Sequence, residues 1–125
     1  MTEASLFQRL GGREGIQALV PAIVDRHLSN PVIQKRYEPL AADPERLATA
    51  TQHLCDFLEA GSGGTAEYRG RSMEEAHAGM NISGEEYLAV INDIMGALQD
   101  AGADESTQKD VLFIAYSLKP QIARL

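Results

Sequence analysis

Glycine and proline divide this chain of 125 residues into short segments, and this division limits what it can fold into. The breaks fall at Gly11-Gly12, at Pro31, at 61–64 (Gly-Ser-Gly-Gly) and at Gly102. Between them, apolar residues recur at the three- and four-residue spacings typical of one helix face. No alternating apolar and polar pattern of convincing length indicates a strand. The sequence therefore predicts an all-α fold of roughly six helical segments in one domain, residues 1–125.

The first long segment carries an apolar face that ends near Asn30. Pro21 lies inside this segment and predicts a kink or a break, because proline removes a helical hydrogen bond. A short helical stretch over 32–37 follows, and we expect Pro39 to stop it. The apolar face consists of Ile16, Leu19, Val20, Ile23 and His27.

Capping residues mark the later helices. Asp43, with Pro44 in the first turn, predicts a helix start, and Gly61 predicts the end of that helix. Ser83 and Glu86 form a capping box whose helix stops at 102, and a last helix starts at 104–106. A short helix near 72–78 comes before the box. The helix that starts at Asp43 has the expected inner face Leu47, Ala50, Leu54, Phe57 and Leu58. The helix behind the capping box has Tyr87, Val90, Ile91, Ile94 and Leu98, and the last helix has Val111, Leu112, Ala115 and Leu118.

Charge and composition exclude several classes of function. The chain has 11 Lys and Arg against 18 Asp and Glu, a net charge of −7, and no Trp. Nucleic acids and anionic membranes bind basic surfaces, so we expect neither as a partner. The apolar stretches are too short to span a bilayer and the N-terminus lacks a signal-peptide pattern, so we expect a cytoplasmic protein. We also expect a monomer or weak dimer. The single cysteine, Cys55, allows no internal disulfide.

The region between 61 and 83 fits a plain helix bundle poorly. A glycine-rich loop and a very short helix bury little apolar surface, so little offsets the entropy that is lost when they are ordered. A bound ligand beside the short helix would resolve this mismatch.

Three histidines are the candidate metal ligands. His27 lies on an apolar helix face, where a histidine is usually a boundary residue with its hydrogen bonds satisfied. His77 shares a helix face with Met73, and His53 lies on the same side of its helix as Ala50; for both, a structural role stays open. One cysteine cannot build a zinc cluster, and neither a P-loop nor a Ser-His-Asp motif is present.

Two motifs resemble the truncated haemoglobins, specifically their group I. The first is Leu-Phe-Gln-Arg-Leu-Gly-Gly at 6–12, and the second runs from Gly63 to Met73 and on to His77 as Tyr-x-Gly-x-x-Met-x-x-x-His. The resemblance covers almost the whole chain. It implies a two-over-two helical sandwich, haem b as cofactor, and His77 as the proximal iron ligand with its second ring nitrogen bonded to the carbonyl of Met73.

The same resemblance implies a haem pocket, with Arg69 or Arg71 as partners for the propionates. His53 stands 77 − 53 = 24 residues before His77, the separation at which some group I members place a second iron-ligating histidine. His53 is therefore either a sixth iron ligand or a residue at the haem edge that meets a propionate. The implied pocket walls are Ile23, Val24, Tyr37, Ala50, Leu54, Phe57, Leu58, Met73, Ile82, Tyr87, Val90, Leu112 and Ala115.

The chain departs from the group on the distal side. Val24 occupies the position of the tyrosine that most members use to donate a hydrogen bond to bound O2, and Tyr37 replaces a phenylalanine at the helical corner. Because Val24 has no donor, the bond must come from elsewhere or be absent. Tyr37 and His53 are the candidates, and Gln52 is a weaker one.

The resemblance implies reversible binding of a diatomic gas such as O2, NO or CO, for oxygen binding or transport or for NO and redox handling. A second hypothesis is a haem enzyme, an NO dioxygenase or a peroxidase-like protein, served by an unidentified reductase. A third is a helical interaction domain without haem.

Overall fold

The computed structural model describes residues 4–64 and 72–123, and its fold is all-α. Within these ranges there are eight helices, because two four-residue helices add to the six expected segments. No helix among them is long and apolar enough to cross a membrane. The helices are α1 (Leu6–Arg9), α2 (Gly12–Ser29), α3 (Gln34–Ala41), α4 (Pro44–Ser62), α5 (Met73–His77), α6 (Gly84–Asp100), α7 (Glu105–Ser117) and α8 (Lys119–Ile122).

The capping residues predicted from the sequence start their helices as expected. The Asp43 side chain accepts from the backbone N–H of Arg46, and Ser83 and Glu86 form the reciprocal capping box. Asp104 accepts from the N–H of Thr107 at the start of α7. Helix α4 ends one residue later than predicted, at Ser62 and not at Gly61. Its C-cap is Gly63, whose φ of 102° lies in the left-handed region.

Helix α3 continues past Pro39, so the stop predicted there is wrong. Helix α2 continues through Pro21, so of the kink or break predicted there, no break occurs. Both prolines are exposed, as are Gln17 and Lys35, whose carbonyls lose their helical donors. Water can therefore donate hydrogen bonds to those carbonyls, and each proline lowers the stability of its helix less than it would in a buried helix. Burial of the opposite face of α2 offsets what remains of that cost.

Helix α2 lies at the centre of the fold, where it contacts α4 and α6, and α6 contacts α7. One core cluster joins α2 to α6 and α7, and a second joins α2 to α4. This pairing of α2 with α4 and of α6 with α7 is the two-over-two sandwich. The first cluster contains Leu19, Ile23, Ala97, Leu98 and Val111, and the second contains Ile16, Val20 and Cys55.

Helix α4 buries a different face from the one that its apolar stripe predicts. The buried residues are Cys55, Glu59 and Ser62, whereas Leu54 is 41% exposed. Glu59 is buried because its carboxylate accepts from Arg13 Nε at 2.8 Å. The side of α4 that carries Ala50 therefore faces away from the α2 contact.

The C-terminal segment packs beside α5. Helix α8 contacts α5, and Ala123 forms an isolated parallel bridge with Ile82. Ile122 packs on a third core cluster, made of Ile82, Tyr87 and Ile91. These contacts hold a five-residue helix that is too short to be stable alone.

Candidate cofactor site

A cavity of about 300 Å³ is bordered by residues of α3, α4, α5 and the start of α6. This volume is at the lower end of the roughly 300–1,000 Å³ that small-molecule sites occupy. Most of the lining is apolar, with three charged residues. Among the described residues the lining consists of Ile33, Arg36, Tyr37, Pro39, Leu40, Arg46, Ala50, Ala76, His77, Met80, Ile82, Glu86 and Val90.

His77 is the last residue of α5 and its orientation is fixed from within that helix. The Ser72 side chain caps the helix by accepting from the N–H of Glu75 at 3.1 Å. His77 Nδ1 lies 2.7 Å from the carbonyl oxygen of Met73, which confirms the predicted hydrogen bond. A carbonyl can only accept, so Nδ1 carries the proton. Nε2 is then the ring nitrogen that can bind a metal.

Tyr37 is one of the residues that line the same cavity. Its ring stacks on the ring of His27, with the centroids 4.8 Å apart and the planes at 29°. Burial raises the pKa of the Tyr37 phenol, and the charge of Asp93 adds to this effect. Tyr37 therefore stays neutral near pH 7 and can donate a hydrogen bond.

His27 is a buried residue with a satisfied hydrogen bond, as its position on the apolar face predicted. It is 4% exposed, and its Nδ1 lies 2.7 Å from Asp93 Oδ2. Burial lowers the pKa of His27, although Asp93 opposes the shift. The neutral ring donates its Nδ1–H to the carboxylate.

The rim of the cavity is charged. Arg36 donates through Nε and Nη2 to the two carboxylate oxygens of Glu86, the second bond being 3.0 Å long. Arg36 and the N–H of Ser83 lower the pKa of Glu86 to about 2. Arg46 also borders the cavity, is exposed, and forms no ion pair within the described ranges. Arg46 is therefore a cation available to an anionic ligand.

Eleven of the residues expected at the haem pocket fall into two groups. Those that border the cavity are Tyr37, Ala50, His77, Ile82 and Val90. Those that pack in or against the core clusters are Ile23, Val24, Leu58, Tyr87, Leu112 and Ala115.

The remaining expected residues are on α4, on α5 or outside the described ranges. His53 and Leu54 are exposed, and Phe57 and Met73 are partly buried. Arg69 and Arg71 lie outside the described residues.

Sequence reasoning missed eight lining residues, of which four lie on α3 or α4. Leu40 follows Pro39, which predicts the end of a helix, so the sequence pattern gives Leu40 no helix face. Arg46 lies four residues before Ala50 on α4, and this spacing was a signal that could have placed it. The missed residues are Ile33, Arg36, Pro39, Leu40, Arg46, Ala76, Met80 and Glu86.

A second cavity, of about 250 Å³, lies between α2 and α4. Its lining is mostly polar and includes the Arg13–Glu59 ion pair, and none of its described lining residues is a histidine. The His77 cavity is therefore the candidate for a metal-containing cofactor.

Comparison with known proteins agrees with this fold. The bacterial-like globin family model matches residues 5–123. A group 1 truncated haemoglobin of Tetrahymena pyriformis is 27% identical over 119 residues, which cover 86% of this chain and 94% of that protein. A group 1 truncated haemoglobin of a Synechocystis species is 29% identical over 116 residues, which cover 90% of each protein.

Solved structures share the fold at lower identity. The ferric truncated haemoglobin of Tetrahymena pyriformis matches with a TM-score of 0.88 at 21% identity, covering 98% of this chain and 100% of that one. The group II truncated haemoglobin of Bacillus anthracis matches with a TM-score of 0.82 at 19% identity, covering 99% and 94%. The family model spans nearly the whole chain, and group 1 truncated haemoglobins are among its relatives. This chain belongs to the bacterial-like globin family.

Proposed function

We propose that this globin holds haem b in the His77 cavity, with His77 as the proximal iron ligand and a diatomic gas as the second ligand. Membership of the family makes haem b its cofactor and small gases its ligands. The observation that supports this site is the hydrogen bond from His77 Nδ1 to Met73, in a cavity with mainly apolar walls. The hydrogen bond leaves Nε2 for the metal and holds the ring in one orientation.

The lining has the chemistry that haem requires. Ile33, Leu40, Met80 and Ile82 offer apolar contacts to a flat macrocycle, and Arg46 offers a cation to a propionate. When bound, haem would supply an iron atom that His77 would hold and that could bind a small gas. Arg69 and Arg71 stay additional candidates for the propionates.

We infer that Tyr37 is the hydrogen-bond donor to the gas ligand. It borders the cavity and keeps its proton, whereas Val24 packs against Ile16 and Val20 in the core. A donor to the partly anionic O2 ligand slows its release.

The test of the proximal site compares His77→Gly with wild type after reconstitution with haem. We expect wild type to show a haem Soret band that shifts with CO in the ferrous state. His77→Gly should lose this spectrum and regain it with added imidazole, which replaces the missing ring. Asp100→Asn is the control, because Asp100 is exposed and is not among the described lining residues, and this variant should keep the haem spectrum. A His77→Gly protein with an unchanged spectrum would contradict the assignment, and wild type that never binds haem would favour the haem-free interaction domain.

The role of His53 needs a separate measurement. Its side chain is exposed on α4, one turn beyond Ala50, which supports a place at the haem edge near a propionate. We therefore expect five-coordinate ferrous protein whose spectrum does not change in His53→Ala. Low-spin ferrous wild type that becomes high-spin in His53→Ala would instead make His53 the sixth ligand.

Oxidation of NO to nitrate is a second candidate function, favoured by the donor at Tyr37. The reaction NO + O₂ + e⁻ → NO₃⁻ needs stably held O2 and an electron from a reductant. We expect the oxygenated wild type to form nitrate with turnover when a reductant is supplied, and Tyr37→Phe to turn over more slowly. Reaction of a single equivalent of NO without turnover would leave gas binding as the function.

A further inference from the structure

A buried polar network lies behind Tyr37. His27 donates to Asp93 at 2.7 Å, and Asn30 Nδ2 lies 3.1 and 3.2 Å from the two Asp93 oxygens. Asp93 is 8% exposed, so its carboxylate depends on these donors in place of water. Asn30 Oδ1 in turn accepts from the N–H of Val32 at 3.1 Å. The network therefore connects α6 and the end of α2 to the turn that leads into α3.

Helix α3, which carries Tyr37, has little local support of its own. It spans eight residues, its N-cap Ile33 makes no side-chain capping bond, and Pro39 lies inside it. Short helices without caps depend on tertiary contacts for their position. The position of the Tyr37 hydroxyl is therefore set by the elements against which α3 packs.

One contact of the Tyr37 ring is its stack with His27, at 4.8 Å between the ring centroids. The bond from Nδ1 to Asp93 fixes the rotation of the His27 ring. An aromatic ring that stacks on a fixed ring has a restricted tilt of its own. Asp93 can therefore act on the Tyr37 hydroxyl without bordering the cavity.

We propose that Asp93 and His27 are positioning residues for Tyr37: Asp93 holds the His27 ring, and this ring directs the Tyr37 hydroxyl at the gas ligand. This inference rests on the proposed function, because it assumes a gas ligand in the His77 cavity. The Asp93 carboxylate on α6 then controls the strength of the hydrogen bond from Tyr37 to the gas ligand. Asn30 completes the arrangement by keeping the carboxylate in place.

The main test variant is Asp93→Asn, which keeps the size of the side chain but can no longer accept fully from both His27 and Asn30. Asp100→Asn is the matched control, because Asp100 forms an ion pair with Arg26 between the same two helices, α2 and α6, and is exposed. His27→Phe is the second variant, since it keeps an aromatic ring beside Tyr37 and removes the bond to Asp93. Far-UV circular dichroism establishes that each variant folds.

The first measurement uses the haem-free protein with ring-¹³C-labelled tyrosine, in which the NMR signal that is lost in Tyr37→Phe identifies Tyr37. We expect this signal to shift or broaden in Asp93→Asn and His27→Phe and to stay unchanged in Asp100→Asn. Because no haem is needed, this measurement tests the positioning even if the proposed function fails.

The second measurement uses the ferrous haem protein. Its readouts are the CO stretching frequency, which falls when a donor hydrogen-bonds to the ligand, and the O2 dissociation rate. We expect Asp93→Asn to raise the CO frequency and to speed O2 release roughly 3–10-fold, less than the loss of the hydroxyl in Tyr37→Phe. In the Tyr37→Phe background, Asp93→Asn should add no further change, because the two act through one contact.

A purely structural role predicts a different pattern. Asp93→Asn would then lower the free energy of unfolding and leave the Tyr37 signal and the CO frequency as in wild type. An Asp93→Asn effect that persists in full without the Tyr37 hydroxyl would equally overturn the proposal.

Discussion

Replacement of Gly15 by alanine tests the close packing at the corner between α1 and α2. A Cβ on Gly15 would lie 2.0 Å from the carbonyl oxygen of Leu10 and 2.9 Å from its carbon. This obstacle is backbone, so no rotamer change can relieve it. Leu10 must therefore move by roughly 1 Å or more to reach an ordinary contact distance.

The cost follows from what Leu10 contacts. Leu10 packs against both core clusters that involve α2, so its displacement disturbs the α6 and the α4 sides together. Overpacking of this kind costs about 1–3 kcal/mol and more when backbone must move, and we place it at about 3–4 kcal/mol. Alanine recovers about 1 kcal/mol of helix propensity over glycine. The net loss in the free energy of unfolding is about 2–3 kcal/mol, or about 6–15 °C in Tm.

Urea unfolding followed by far-UV circular dichroism measures this loss, with the m-value as the check on two-state behaviour. Gly61→Ala is the matched control, because Gly61 lies inside α4, is exposed, and has nothing within 4 Å of an added Cβ. We expect Gly61→Ala to stabilise the protein by about 0.5–1 kcal/mol. If Gly15→Ala proved as stable as Gly61→Ala, the steric reasoning about this corner would be wrong.

Three further predictions concern titratable groups. Burial lowers the pKa of His27 below its ordinary 6.5, so the unfolded chain binds the proton first and the free energy of unfolding should fall as the pH drops below about 6.5. Urea unfolding at pH 7.5 and 5.5 should show this loss in wild type and a smaller loss in His27→Phe. Arg36 and Ser83 lower the pKa of Glu86 from 4.5 to about 2, so the stability that this carboxylate contributes should be present above pH 4.5 and lost as the pH falls towards 2. In Glu86→Gln, the free energy of unfolding followed over the same pH range should lack this loss. Cys55 is buried and burial raises the pKa of its thiol, so iodoacetamide should alkylate it slowly in the native protein and rapidly in urea, and equal rates would contradict its burial.

Local sequence signals predicted the starts of the later helices because a cap is a contact between residues three apart. Asp43, Ser83 and Asp104 each bond to a backbone N–H three residues on, and this interaction needs no distant partner. The Met73–His77 hydrogen bond was predictable for the same reason, since it spans a single helical turn. The motif around His77 also carried the resemblance to the truncated haemoglobins, which the family match confirms.

The candidate site was less predictable because its residues come from helices distant in the chain. The stripe on α4 predicted a core face, but burial of Cys55 and Glu59 against α2 decided which side of α4 borders the cavity. Pro39 indicated a helix stop from local chemistry alone, whereas exposure of its carbonyl partner lets α3 continue and brings Leu40 to the cavity.

The sequence by itself determined the all-α class, the caps, the face of α2 and the histidine with its carbonyl partner, because each depends on residues within one or two helical turns. Only the tertiary structure decided that Tyr37, rather than Val24, borders the cavity. It alone placed Asp93 beside His27, 66 residues away in the chain. Such pairings follow from how α2, α3 and α6 pack together, and packing depends on the shapes of all three helices at once.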